Sequence, residues 1–167
     1  MSTLSELFKH NTWANLRLID ACEAADDVLD ASAPGTRGAA LETLVHLLAA
    51  EERYVAWLSG EPQPDPPLRE RDAFPGFARL RERANHSGDA LVAIATSRTG
   101  DDWLYGEGDG IRFRTRTLVP LVQAIQHANE HRTHVTTILS QQGVEPPDLS
   151  GWAYSDEMGY EEVVEEK

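Results

Sequence analysis

Three of the six histidines in this 167-residue chain lie close together near its C-terminal end: His127, His131 and His134. They are spaced i, i+4 and i+7, so in a helix their side chains share one face. Imidazoles one turn apart have Cβ atoms about 5–6 Å apart and can bind the same metal ion. Such a pair also arises by chance on exposed helices, where it binds metal only adventitiously.

A further histidine, His46, falls in a second predicted helix, away from that helix's main apolar stripe. It shares its face with small residues and Trp57, which indicates that this face is packed as well. Helix bundles build metal sites from side chains on facing helices. The residues therefore predict a divalent-metal site formed by His46, His127 and His131.

The same stretch contains another motif, because residues 127–131 read H-x-x-E-H, as in inverted zinc proteases. Those enzymes require an acidic third ligand well downstream, and only 36 residues follow His131. The protease interpretation is therefore disfavoured. Glu130 is rotated about 60–100° from the two histidines around the helix. Two roles therefore stay open for Glu130: it acts on a water bound to the metal, or it is a solvated acid.

The elements that must position these histidines are four long helices, predicted from apolar residues at helical spacing. They span about residues 5–25, 39–59, 74–97 and 119–143. Two short strands, 103–105 and 111–115, flank the glycine-rich turn 106–110. Four prolines in residues 61–67 predict an extended surface linker. We expect an all-α four-helix bundle with a small β-hairpin between helices 3 and 4, as one domain over residues 1–155 and an acidic tail over 156–167.

The sequence also predicts the surroundings of two asparagines, two further histidines and the single cysteine. Asn11 and Asn15 lie inside the apolar stripe of the first helix, so they either hydrogen-bond within the core or line a polar pocket. His10 lies off that stripe and is expected to be exposed, and His86 is expected to be structural or solvated. Cys22 lies on the stripe and is expected to be an inert core thiol.

Composition excludes several classes of partner. The formal net charge is −13, from 28 acidic and 15 basic residues, whereas nucleic acids and anionic membranes are bound through basic patches. No apolar stretch approaches the ~20 residues that span a bilayer, and no signal peptide is visible. A single cysteine cannot form an internal disulfide, so we expect a reducing cytoplasmic location.

The order of these features resembles the DinB-like metalloprotein superfamily, which is related to bacillithiol transferases and mycothiol-dependent maleylpyruvate isomerases. The resemblance covers nearly the whole chain. It rests on Trp13-Ala14-Asn15, on His46 followed by Glu51 and Glu52, on His127-x-x-x-His131-Arg132, and on Gly143 with Pro146-Pro147.

The resemblance implies an up-down-down-up bundle, a homodimer, and zinc or nickel held by His46, His127 and His131 with open coordination positions. The family's usual His-Arg-Gly-Gln ending is His131-Arg132-Thr133-His134 here. This departure makes His134 either an outer partner of the site or an alternative ligand. The candidates for lining the pocket are Asn11, Asn15, Trp57 and Glu130.

Three neutral nitrogen ligands with open positions suit a catalytic metal. The function expected from the resemblance is transfer of a low-molecular-weight thiol to a small electrophilic substrate. Two alternatives stay open: a metal-dependent hydrolase, and a non-catalytic metal-binding bundle that acts as a sensor or binding protein.

Overall fold

The computed structural model of the chain describes residues 2–108, 110–162 and 164. These residues form five α-helices, one 3₁₀ turn and a two-stranded antiparallel sheet. In chain order the elements are α1 (Thr3–Ala24), the 3₁₀ turn (Asp26–Val28), α2 (Ala40–Ser59), α3 (Phe77–Ser97), β1 (Trp103–Gly108), β2 (Ile111–Arg116), α4 (Leu118–Gln141) and α5 (Gly151–Met158). The predicted helical bundle with a hairpin between helices 3 and 4 is confirmed.

Two buried apolar clusters lie at opposite ends of the bundle and reveal the direction of each helix. One cluster joins the start of α1 and of α4 to the second half of α2 and of α3, through Phe8, Leu121, Leu58 and Leu91. The other joins the opposite ends of the same helices, through Cys22, Val135, Leu44 and Leu80. Helices α1 and α4 therefore run one way and α2 and α3 the other, which is the predicted up-down-down-up order.

Local chemistry explains where the helix ends differ from the predicted ones. Helix α1 begins two residues early because the Ser2 hydroxyl accepts a hydrogen bond from the Ser5 amide at 3.1 Å. Helix α3 begins at Phe77 rather than at residue 74, because Pro75 disfavours helical backbone at the residue before it and Gly76 has a φ of 88°. Helix α2 ends as predicted, before Gly60 in the left-handed region.

The hairpin has longer strands than predicted, and its register pairs Trp103 with Arg116 and Gly108 with Ile111. Gly110 has a φ of 74°, as a tight turn requires, and Asp109 of the predicted turn lies outside the described residues. The indole nitrogen of Trp57 donates to the Tyr105 carbonyl at 3.0 Å. This bond fixes the hairpin against the C-terminal half of α2.

Helix α5 is an addition to the four predicted helices. The Ser150 hydroxyl caps it by accepting from the Ala153 amide at 3.2 Å, and its buried Tyr154 packs on Trp13 of α1. The proposed division into a domain of residues 1–155 and a tail of 156–167 stays a prediction. Helix α5 crosses that boundary, and residues 163 and 165–167 of the tail lie outside the described part. None of the helices within the described ranges has the length and apolar character to span a membrane.

Candidate metal centre

The histidines predicted to act together come together between α2 and α4. Nε2 of His127 lies 3.1 Å from Nε2 of His46 and 3.1 Å from Nε2 of His131. The ligand atoms of all three lie within 4.8 Å of one another. Because α2 and α4 pack side by side, residues 81 positions apart in the chain meet at one point.

This arrangement has the donor chemistry of a metal site. Two nitrogens bound to one tetrahedral zinc at 2.0–2.1 Å are about 3.4 Å apart, close to the two separations of 3.1 Å seen here. A neutral imidazole has one N–H and one lone pair, so three converging Nε2 atoms cannot satisfy one another by hydrogen bonds. A divalent cation satisfies all three lone pairs at once. The three-histidine group therefore allows a metal site.

The surroundings keep two of these rings neutral. Burial and the neighbouring His131 and His46 lower the pKa of His127 to about 4. Burial, His46 and His134 lower the pKa of His131 to about 4 as well. Both rings are therefore neutral at pH 7, which is the form that binds metal.

Two side chains contact the outer nitrogens of the cluster. Glu70, in the connection between α2 and α3, hydrogen-bonds to Nδ1 of His46. Nδ1 of His134 lies 3.4 Å from Nδ1 of His131. His134 is not part of the converging three-histidine group, so its position fits an outer partner rather than an alternative ligand.

The H-x-x-E-H interpretation finds no support in this geometry. The third member of the group is His46, which precedes the motif, and not a downstream acid. Glu130 is exposed on α4, and its charge acts to raise the pKa of His131 against the larger effect of burial. Glu130 is therefore within electrostatic reach of the cluster.

A second polar cluster fills the middle of the bundle and includes both predicted asparagines. Asn11 and Asn15 donate to the Glu51 carboxylate at 2.8 and 3.0 Å, and their carbonyl oxygens accept from Arg132 at 2.8 and 2.6 Å. Ser87 of α3 donates to the same carboxylate at 2.5 Å. Burial raises the pKa of Glu51 and lowers that of Arg132 to about 10. Of the two alternatives for the asparagines, hydrogen bonding within the core is the one seen, and Asn11 also reaches a cavity between α1, α4 and α5.

Other predicted residues lie apart from the cluster. Trp57 is three turns along α2 from His46 and contacts the hairpin. The expectation that His10 is exposed was wrong, because the segment before α5 covers it. Its Nε2 donates a hydrogen bond to the Leu149 carbonyl at 3.0 Å. His86 is exposed, which fits the solvated one of its two predicted alternatives. Cys22 is fully buried in the core, as predicted, and burial raises the pKa of its thiol to about 12, which disfavours the reactive thiolate.

Sequence reasoning missed Glu70 as a partner of the site. It lies in an aperiodic stretch, where neither helical nor strand spacing relates it to His46. It also missed Arg132 as the partner of Asn11 and Asn15. A buried asparagine pair on one helix needs hydrogen-bond donors, and an arginine on another helix of the bundle could have been proposed as that donor.

No match to the curated proteins was found. A family model described as "DinB family" matches residues 1–163, nearly the whole chain. With the bundle order and the converging histidines, this match shows that the chain belongs to the DinB family.

Proposed function

We propose that this protein is a divalent-metal-dependent enzyme that transfers a low-molecular-weight thiol to a small electrophile. The observation that carries the proposal is the convergence of the Nε2 atoms of His46, His127 and His131. Three protein ligands leave at least one coordination position for a reactant, whereas a purely structural site uses four protein ligands. We propose zinc or nickel as the resident ion.

The chemistry supplied by a divalent metal here is Lewis acidity, which lowers the pKa of a thiol and keeps it as the nucleophilic thiolate. The reaction must also account for the proton of the thiol and for the group that the sulfur displaces. As the sulfur–carbon bond forms, the bond from that carbon to its leaving group breaks. Glu130, exposed and within electrostatic reach of His131, is our candidate for accepting the thiol proton.

Positive charge near the cluster favours an anionic reactant. Arg53 and Arg37 both act to lower the pKa of His127, so both are close enough for their charges to be felt at the ring. Arg53 is exposed and forms no ion pair within the described residues. Arg37 is paired with Glu42 and Glu70, so the exposed Arg53 guanidinium is the charge that supports attraction of a thiolate or carboxylate to the site.

The first test of the proposal is metal content. The untagged protein, loaded with zinc or nickel and desalted, should contain about one ion per chain by elemental mass spectrometry. His46→Ala and His127→Ala should each lose it, since each removes one ligand from a different helix. His86→Ala, an exposed histidine on α3, is the matched control and should retain it. Wild-type protein without metal would contradict the proposal.

The second test is turnover. Monochlorobimane accepts a thiol at carbon and releases chloride, so fluorescence reports thiol transfer from bacillithiol, mycothiol or glutathione. The metal-loaded protein should accelerate at least one of these reactions, and chelation or His131→Ala should abolish the acceleration. Metal binding without acceleration of any thiol reaction would favour the sensor or binding-protein alternative. Hydrolysis of an activated ester without thiol would favour the hydrolase.

The remaining expectations stay predictions: a homodimer, a cytoplasmic location, a small-molecule substrate, and no partnership with nucleic acid. Exposed apolar side chains on α1 and α4 are compatible with a second copy docking there: Leu7, Leu118, Val119 and Val122. Sedimentation equilibrium of the full chain tests the oligomeric state directly.

A further inference from the structure

The connection between α2 and α3 brings a carboxylate to the outer side of the histidine cluster. Glu70 lies within this connection, three residues beyond the proline-rich segment 61–67. Its Oε1 atom accepts a hydrogen bond from Nδ1 of His46, and the same oxygen lies 3.4 Å from an Arg37 nitrogen. The sequence of residues 61–67 predicts a surface linker, but the connection that contains them also contributes the Glu70 side chain to the site.

The residues just before Glu70 are anchored to the core. Leu68, two residues earlier, is buried in the main apolar cluster of the bundle. The Pro66 carbonyl accepts from Arg83 of α3 at 3.0 Å, and Arg83 is itself buried in an ion pair with Glu52 of α2. Because these contacts tie the connection to both helices, the position of Glu70 is set by the core.

The hydrogen bond determines which nitrogen of His46 carries the proton. A carboxylate only accepts hydrogen bonds, so Nδ1 of His46 must donate. The Nε2 lone pair is then directed at the point where Nε2 of His127 lies 3.1 Å away. Glu70 contacts the opposite side of the ring and is outside the converging group, so it is not a ligand.

We infer that Glu70 is a positioning residue, which fixes the tautomer and ring orientation of His46 for metal binding. This inference rests on the proposed function. His127 and His131 are brought together by α4, whereas His46 arrives alone from α2. The contact seen on the outer side of the His46 ring is the hydrogen bond from its Nδ1 to Glu70. Loss of such partners typically weakens metal affinity 10–100-fold.

Zinc affinity tests the inference when measured by competition with a chromophoric chelator. Glu70→Ala should weaken zinc binding about 10–100-fold relative to wild type. Glu70→Gln should give a smaller loss, because its amide oxygen still accepts from Nδ1 but lacks the charge. Glu42→Ala is the matched control, since Glu42 also pairs with Arg37 but does not contact His46. Its zinc affinity should stay close to that of wild type.

A readout without metal separates positioning from general stability. In the apo protein, ¹⁵N-detected ring signals of His46 should show the Nδ1–H tautomer in wild type. In Glu70→Ala they should shift towards the Nε2–H form, with the melting temperature little changed. Unchanged zinc affinity and tautomer in Glu70→Ala, with wild type binding zinc, would overturn this inference alone. A wild type that binds no zinc overturns both this inference and the proposed function.

Discussion

Nδ1 of His134 lies 3.4 Å from Nδ1 of His131, on the side of the His131 ring that faces away from the converging histidines. If Nε2 of His131 is to offer its lone pair, Nδ1 of the same ring must carry the proton. His134 then accepts that proton's hydrogen bond. We therefore propose that His131 binds the metal and that His134 orients the His131 ring.

The first prediction separates these roles. His131→Ala should abolish stoichiometric zinc binding, whereas His134→Ala should retain one zinc per chain with affinity reduced about tenfold. Elemental analysis gives the stoichiometry, and chelator competition gives the affinity. Loss of the ion from His134→Ala to the same extent as from His131→Ala would identify His134 as a ligand.

The second prediction concerns pH in the metal-free protein. The folded pKa of His127 and of His131 is lowered to about 4, against about 6.5 in the unfolded chain. Between these values the unfolded chain binds more protons, so stability should fall as pH falls from about 6.5 towards 4. Above pH 6.5 both rings are neutral in the folded and the unfolded chain, so they add no pH dependence to the free energy of unfolding.

Thermal unfolding of the apo protein at several pH values checks this expectation. His127→Asn removes one of the two titrating rings and should reduce the slope of melting temperature against pH over that interval. NMR titration of the ring protons gives the individual pKa values. Midpoints near 6.5 for both rings would show the expectation to be wrong.

Most of the architecture was predictable because long amphipathic helices carry their own periodic signal. The i, i+4 relation of His127 and His131 lies within one helix, so their proximity follows from helical geometry alone. His46 was predictable only as a residue on a second packed face, because its contact with His127 depends on how α2 and α4 pack.

The features that could not be predicted depend on segments without helical or strand periodicity, or on how one helix packs against another. Glu70 reaches His46 through an irregular connection, and no spacing rule relates the two positions. The exposure assigned to His10 was wrong because α5, a helix of eight residues, was not expected to cover that face of α1. Asn11 and Asn15 stood out as polar residues in an apolar stripe, but their partners on α2 and α4 required the tertiary packing.

The third prediction concerns the buried cluster around Glu51. Glu51→Ala leaves the amide groups of Asn11 and Asn15 without their acceptor and removes the carboxyl group that interacts electrostatically with Arg132. Each buried polar group left unpaired costs about 1–3 kcal/mol, so we expect a loss of about 3 kcal/mol in the free energy of unfolding.

Urea denaturation of the apo protein measures this loss. Glu42→Ala, an exposed acid on the same helix, is the matched control and should change stability by less than about 0.5 kcal/mol. If the two variants unfold at the same urea concentration, the cluster does not stabilise the bundle.

The fourth prediction tests the close approach of α1 and α3. A Cβ atom added at Gly88 would lie 2.1 Å from Oγ1, 2.6 Å from Cγ2 and 2.9 Å from Cβ of Thr12. Rotating the Thr12 side chain cannot relieve the contact, because its Cβ is itself too close. Gly88→Ala should therefore lower the free energy of unfolding by about 1–3 kcal/mol, despite the ~1 kcal/mol that alanine gains over glycine in a helix.

Urea denaturation distinguishes this steric effect from helix propensity. Gly151→Ala is the matched control, because Gly151 also lies in a helix and no atom lies within 4 Å of its added Cβ. It should be neutral or slightly stabilising. Adding Thr12→Ala to Gly88→Ala removes both γ atoms and should restore part of the loss, but not all of it, because the Thr12 Cβ contact remains. A Gly88→Ala protein as stable as wild type would mean that α1 and α3 do not pack at this separation.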